Sequence, residues 1–309
     1  MSRVGLIDVG TNTLRLIIGE PGENGVPRFL YHEVLATRLG EGLSQRNELS
    51  PEAIERTIDG LRRLKAKANS YGVKLVEAYA TAWARLATNT DEVLSSVAKL
   101  DLPIWILTEE EEAMMAVESV KLLAIGTENF WVVDMGGGST QIVRVINGEG
   151  EYIRSVPFGA VNFTEKYLLH DPPEVDRTKA EEEVKKLLAL QRLGETGEQR
   201  ARVVALGGTV ATLGALKVGI APEEPSFFEK VQGLSLEQSW IKSEIDVLFH
   251  LSLAERKKLA GMEPERADIL PGGAILLHGF LSEINASTVF ICLYSFIHGL
   301  LAKRVEALE

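Results

Sequence analysis

A single cysteine, Cys292, excludes an internal disulfide and leaves no thiol cluster for a structural zinc site. Secreted disulfide scaffolds and zinc fingers are therefore ruled out. Long apolar runs are missing as well. The longest, Val289 to Ala302, is shorter than the roughly 20 residues a membrane-spanning helix needs, and Ser295, His298 and Gly299 interrupt it. No membrane partner is expected. Positive charge is in deficit: 33 basic against 44 acidic residues leave a net charge of −11, which repels nucleic acid and polyphosphate unless a local site holds them. Nucleic acid is accordingly not an expected partner. His170, His250, His278 and His298 lack metal-ligand spacing and read as packing or surface residues. The N-terminus enters a strand pattern directly, without a long apolar stretch and cleavage site, which predicts a cytoplasmic protein.

What is present is an α/β alternation. At about 150 residues per domain, 309 residues predict roughly two domains with a substantial core. Val4 to Ile7 and Leu14 to Ile18 read as short strands joined through Gly10, Thr11 and Asn12, which makes a hairpin. Ser50, Pro51 and Glu52 supply an N-cap, a first-position proline and a first-turn acid. Ile54, Ile58, Leu61 and Leu64 then recur at helical spacing as far as Asn69. Further strands are predicted at Leu75 to Ala80 and Ile104 to Leu107, and helices at Asp91 to Leu100 and Glu109 to Leu123. The acidic stretch Lys179 to Lys186 with Arg192 predicts a solvated helix face. Such alternation implies crossovers and a largely parallel or mixed sheet.

After Gly126 the pattern restarts. Phe130 to Val133 is an apolar strand ending in Asp134, followed by Gly136, Gly137, Gly138, Ser139 and Thr140, a strand at Ile142 to Ile146, and an Asn147-Gly148 turn. The chain begins in the same order, with a strand ending in Asp8, then Gly10, Thr11, Asn12 and Thr13, a second strand, and an Asn24-Gly25 turn. The repeat predicts two similar domains, 1-124 and 125-309, facing each other across a cleft, with the boundary near 123 to 128.

The turn after Asp134 is a plausible phosphate loop, since glycines let backbone N–H groups approach phosphate oxygens and Ser139 and Thr140 add hydroxyls. It lacks the lysine of a P-loop, and no G-x-G-x-x-G opens a helix there. A tight hairpin that merely needs glycine is the alternative. Gly207-Gly208-Thr209, between the predicted strand Val203 to Leu206 and the helix Val210 to Leu216, aims helix N-terminal amides at an anion, or is an ordinary loop. Together the three turns favour a joint phosphate site. Asp8 and Asp134 suit Mg²⁺, which prefers carboxylates plus phosphate oxygens; equally, each could bond its own turn amides. Glu109 to Glu112 fall where the helix dipole favours acids, and one of them could serve as a general base, though spacing does not select which. Arg85 and Arg266 are phosphate clamps or surface residues.

In order, these residues resemble the Ppx/GppA phosphatases, exopolyphosphatases and guanosine pentaphosphate phosphatases within the actin, Hsp70 and sugar-kinase superfamily. The matching segments are Ile7 to Thr13, Ala80-Thr81 with Arg85, Glu110 to Ala113, Val133 to Thr140, Pro157 to Val161, Asp171-Pro172-Pro173, Gly207 to Thr209, and Arg266 to Asp268. The resemblance implies two actin-like, ribonuclease H-like domains and a short, two-domain form. It implies a Mg²⁺-dependent hydrolase removing terminal phosphate from inorganic polyphosphate or pppGpp, with homodimerisation. By family role, Glu112 would be the base, Arg85 and Arg266 would contact phosphate, Asp134 and Asp8 would bind metal, and the turns at Thr11-Asn12, Gly136 to Thr140 and Gly208-Thr209 would cradle the phosphates.

Two departures stand out. Gln141 replaces the family's usual glutamate, which predicts weaker metal binding. Cys292 to Gly299 replaces the charges of a family Ser-Asp-x-Gly-Leu-Arg-Glu-Gly segment with apolar residues and His298. These losses favour, as an alternative, a weakly active or non-catalytic binder of polyphosphate or (p)ppGpp; an actin-fold ATPase or kinase is a further alternative.

Overall fold

A computed structural model describes residues 3–22, 26–74, 76–123, 129–171, 176–193 and 202–307, with backbone alone at 152 and 153. The chain divides into two units, Met1–Ala124 with Tyr294–Glu309, and Ile125–Leu293. The expected Asn24-Gly25 turn, the boundary at 124 to 128, Leu75 and Pro172-Pro173 lie outside the described residues.

In the first unit, β1 (Val4–Val9), β2 (Thr13–Glu20) and β3 (Arg28–Ala36) form an antiparallel meander. There follow α1 (Leu43–Arg46), α2 (Pro51–Ser70), β4 (Val76–Ala80), α3 (Ala82–Leu86), α4 (Thr90–Ala98), β5 (Ile104–Ile106) and α5 (Glu109–Lys121). The sheet order is β3-β2-β1-β4-β5, with parallel pairing from β1 through β5. Central β1 is buried from Gly5 to Val9, which accounts for its unbroken apolar run. Ser50 Oγ accepts from the Ala53 N–H at 3.2 Å to start α2, whose Ile54, Leu61 and Leu64 turn inward. Each such fully buried side chain contributes about 2 kcal/mol before ordering costs. Edge strand β3 interleaves apolar with charged residues, so its sequence carries no clear strand signal.

The second unit contains β6 (Phe130–Met135), β7 (Thr140–Ile146), β8 (Glu149–Val156), α6 (Ala160–Tyr167), α7 (Arg177–Ala189), β9 (Arg202–Leu206), α8 (Gly208–Val218), α9 (Phe227–Val231), β10 (Ser235–Glu237), α10 (Gln238–His250), α11 (Leu253–Arg256), α12 (Leu270–Glu283) and β11 (Thr288–Cys292). Its sheet runs β10-β11-β9-β6-β7-β8. The stretch β8-β7-β6-β9-β11 repeats β3-β2-β1-β4-β5 in order and in direction, so the repeat seen around the two aspartates extends to whole sheets. Asn147 and Gly148 both take positive φ, 51° and 80°, as a tight hairpin turn requires. α7 buries Ala180, Val184 and Leu188, so the acidic stretch is the outer face of an amphipathic helix.

The last helix, α13 (Phe296–Glu306), corrects the expected extent of the second domain, because it belongs to the first unit. Small residues make this possible. A Cβ on Gly299 would overlap the Met115 carbonyl, and one on Gly19 would press on Leu301. The Ser119 hydroxyl donates to the Ser295 carbonyl at 2.6 Å and accepts from the Gly299 N–H at 2.7 Å. Apolar Phe296, Ile297 and Leu301 are thereby buried in the first unit. Among the described residues no helix is long and apolar enough to cross a membrane.

Candidate active site

Asp8, next to last in β1, lies directly across from Arg15 on β2, and the two form an ion pair at 3.8 Å. Beyond them the loop folds with its carbonyls turned away. The Asn12 carbonyl accepts from Thr37 and Arg38 at 3.1 and 2.9 Å, and the Thr11 carbonyl accepts from Gly40 at 2.8 Å, while Gly10 N–H closes on the Thr13 carbonyl at 3.0 Å. Asn12 Nδ2 is buried with no hydrogen-bond partner, which leaves a donor in this loop for an incoming acceptor. Trp83 Nε1 donates to the Val9 carbonyl at 2.6 Å and ties α3 to the same strand end.

Of the four consecutive glutamates opening α5, Glu109, Glu110 and Glu111 are exposed and Glu112 is buried. Glu111 makes the capping box with Thr108, whose hydroxyl accepts from the Glu111 N–H at 3.2 Å. Glu112 instead receives Arg85 Nη2 at 2.9 Å, and Arg85 Nη1 donates to the Leu107 carbonyl at 2.6 Å. Burial thus sets Glu112 apart from three neighbours that spacing did not separate from it. A buried carboxylate is tolerated because it is paired.

In the second unit the same loop plan recurs with a helix as backing. Gly136 N–H donates to the Ser139 carbonyl at 3.0 Å. The N-terminus of α6 meets the loop's carbonyls: Ala160 N–H donates to Gly136 at 3.0 Å, Val161 N–H to Gly137 at 2.9 Å, and Asn162 Nδ2 to Gly138 at 2.8 Å. A Cβ on Gly159 would strike Gly136 and Gly137, so only glycine lets the helix approach this closely. With their carbonyls held from behind, the N–H groups of Gly137, Gly138 and Ser139 meet no backbone carbonyl among the described residues. Successive turn N–H groups placed in this way can receive an anion. Thr140, expected to bind phosphate, donates its hydroxyl to the Phe158 carbonyl at 2.8 Å and anchors the loop.

Gly207, at φ 103°, lies so near Met135 that a Cβ would overlap its carbonyl, which sets the α8 N-terminus beside the end of β6. The Arg266 guanidinium covers Gly208, where a Cβ would overlap it, and Arg266 Nε donates to Glu263 at 3.2 Å. Asp134, the Gly136 to Ser139 turn, Gly208-Thr209 and Arg266 are therefore brought together within the second unit by the β6-β9 pairing and these close approaches.

The family model of the Ppx/GppA phosphatases matches residues 21–307. The chain belongs to the Ppx/GppA phosphatase family. Exopolyphosphatase 2 of Mycobacterium tuberculosis is 30% identical over 300 residues, covering 92% of each sequence. A crystal structure of the Aquifex aeolicus member of the Ppx/GppA family is similar with a TM-score of 0.80 and 28% identity, covering 100% of this chain and 99% of that one. An exopolyphosphatase structure from Cytophaga hutchinsonii shares the fold at a TM-score of 0.87 and 24% identity, over 100% and 99% of the two chains. The expected α/β fold and a hydrolase of phosphoric anhydrides are both met.

Within this Ppx/GppA chain the oxygen donors of the second unit suit a hard divalent cation. Asp134 is 5% exposed and stands across β6 and β7 from Gln141, whose Oε1 is buried without a hydrogen-bond partner. Mg²⁺ needs only one or two carboxylates when phosphate and water complete its shell. Among the described residues no group of three or more histidine, cysteine, aspartate or glutamate side chains could hold a metal ion. Across the hairpin Asp8 faces the Arg15 guanidinium, whereas the strand partner of Asp134 is Gln141. Sequence reasoning passed over Arg15, although it follows Asp8 at the spacing by which Gln141 follows Asp134. Asn162, which clasps Gly138, was passed over for want of any local signal.

Proposed function

We propose that the protein releases terminal phosphate from inorganic polyphosphate or pppGpp by attack of a water that Glu112 deprotonates. The carrying observation is the pattern of carbonyl bonds behind Gly136, Gly137 and Gly138, which leaves the loop's N–H groups for phosphate oxygens. Family membership and the exopolyphosphatase relative support the substrate class. Both substrates end in a phosphoanhydride, and a loop that reads phosphate does not read guanine.

In this mechanism the Gly137, Gly138 and Ser139 amides, Gly208-Thr209 and Arg266 bind and orient the phosphates, and Thr11 and Asn12 are the first unit's own candidates for phosphate contact. Glu112 takes one proton from water, the water oxygen bonds to the terminal phosphorus, and the bridging P–O bond breaks to leave inorganic phosphate and a chain shorter by one unit. Arg85 holds the Glu112 carboxylate in place through the ion pair, and its guanidinium would contact a phosphate oxygen. Asp134 and Gln141 of the second unit would hold Mg²⁺, which supplies charge neutralisation on phosphate oxygens when bound, and Asp8 is the first unit's own candidate for a cation. A homodimer in the cytoplasm completes the reading.

The test is phosphate release from long and short polyphosphate, pppGpp and ATP, each with and without Mg²⁺, beside Glu112→Ala. Release from polyphosphate or pppGpp that needs Glu112 is expected. Turnover of ATP alone, or binding of all four without release, would overturn the proposal.

A further inference from the structure

Gln141 is 1% exposed and stands opposite Asp134 on the neighbouring strand. Its Nε2 donates to Ser139 Oγ at 2.7 Å, and its Oε1 has no partner. A carboxamide nitrogen can only donate, so this bond fills a lone pair on the serine oxygen and leaves the hydroxyl proton uncommitted to Gln141. Ser139 is itself buried and belongs to the turn whose Gly137 and Gly138 amides meet no backbone carbonyl among the described residues.

We propose that Gln141 is a positioning residue that makes the Ser139 hydroxyl a proton donor to a phosphate oxygen. The inference rests on the phosphate-loop reading above and adds which way the serine proton points. A carboxylate at position 141 would do the reverse. It would accept the Ser139 proton, turn the serine lone pairs toward the anion, and place a second negative charge opposite Asp134. The neutral amide therefore trades cation affinity for anion affinity at this loop.

The test is tripolyphosphate binding by calorimetry on the full chain in chelator without divalent cation. Four proteins are compared: wild type, Ser139→Ala, Gln141→Leu and the double variant. Each single change is expected to weaken binding roughly tenfold, the worth of one hydrogen bond to a charged group. The double variant should bind like either single one, because Gln141 acts through Ser139; losses that multiply overturn the proposal. Gln141→Glu should weaken tripolyphosphate and tighten Mn²⁺ measured by electron paramagnetic resonance, and an unchanged balance counts against it. A spectroscopic reading stands apart from binding: the Gln141 side-chain amide protons, assigned by their loss in Gln141→Leu, should shift in Ser139→Ala. An unmoved signal overturns the hydrogen bond itself. Wild type that binds no tripolyphosphate removes the phosphate-loop reading and the proposal with it, whereas binding with multiplying losses removes the proposal alone.

Discussion

Arg85 bridges Glu112 and the Leu107 carbonyl, at 2.9 and 2.6 Å, so one guanidinium fixes both the buried carboxylate of α5 and the segment leading into that helix. The pair is asymmetric in consequence: removing the acid leaves Arg85 its bond to the Leu107 carbonyl, whereas removing the arginine takes the counter-charge from a buried carboxylate.

Glu112→Gln is expected to lower phosphate release by ~10²-fold or more with ligand affinity nearly unchanged, as loss of a general base does. Arg85→Ala is expected to lower release too, and also to destabilise the fold by ~3 kcal/mol, because Glu112 then stays buried without its partner. Steady-state rates and urea denaturation of the two variants separate these effects. Equal stability losses in both would show that the ion pair is not the reason Glu112 is tolerated.

Burial, with the nearby His32 and Arg15, holds the His298 imidazole well below its ordinary pKa, although the Ser295 N–H to His298 Nδ1 bond is also present at 3.1 Å. The folded protein keeps His298 neutral, whereas the unfolded chain protonates it near pH 6.5. The unfolded state thus binds more protons below that pH, and stability falls as pH drops below about 6.5. Urea denaturation at pH 7.5 and 5.0 should show a smaller loss for His298→Gln than for wild type. Parallel pH profiles would locate the titrating groups elsewhere.

Asp134→Asn is expected to weaken Mg²⁺ binding at least tenfold, and Asp8→Asn distinctly less, since the Arg15 guanidinium at 3.8 Å already offsets the Asp8 charge. Calorimetric titration of each variant with Mg²⁺ in the presence of tripolyphosphate makes the comparison. A larger loss at Asp8 would reverse the assignment.

Gly299→Val would force a branched side chain into the Met115 carbonyl and push α13 off α5. Overpacking of this kind costs typically 1–3 kcal/mol, so the urea midpoint should fall. Because α5 carries Glu112, phosphate release should fall with it, while Gly148→Ala, with open space around its Cβ position but a positive φ, should leave release unchanged. A Gly299→Val protein with unchanged stability would contradict the close helix contact.

Hairpin β1-β2, helix α2, the strand ending in Asp134 and the α8 junction were legible because each rests on local rules: turn glycines, a Ser-Pro-Glu start, and apolar periodicity. Edge strand β3 was not, because its alternation is broken by Arg28, His32 and Glu33. Helix α13 was legible only as an apolar run, since the reason for its burial is a serine and a glycine far apart in sequence.

The amino-acid sequence by itself determined the doubled plan, the three turns able to receive phosphate, and the membership of Glu112 in an acidic helix start. These follow from neighbours along the chain, where backbone preference and spacing act. Tertiary structure alone decided which glutamate is buried against Arg85, that Arg15 faces Asp8 while Gln141 faces Asp134, that α6 holds the glycine carbonyls from behind, and that the C-terminal helix closes the first unit. Each of these depends on close approach or charge pairing between distant segments, and no local pattern encodes such contacts.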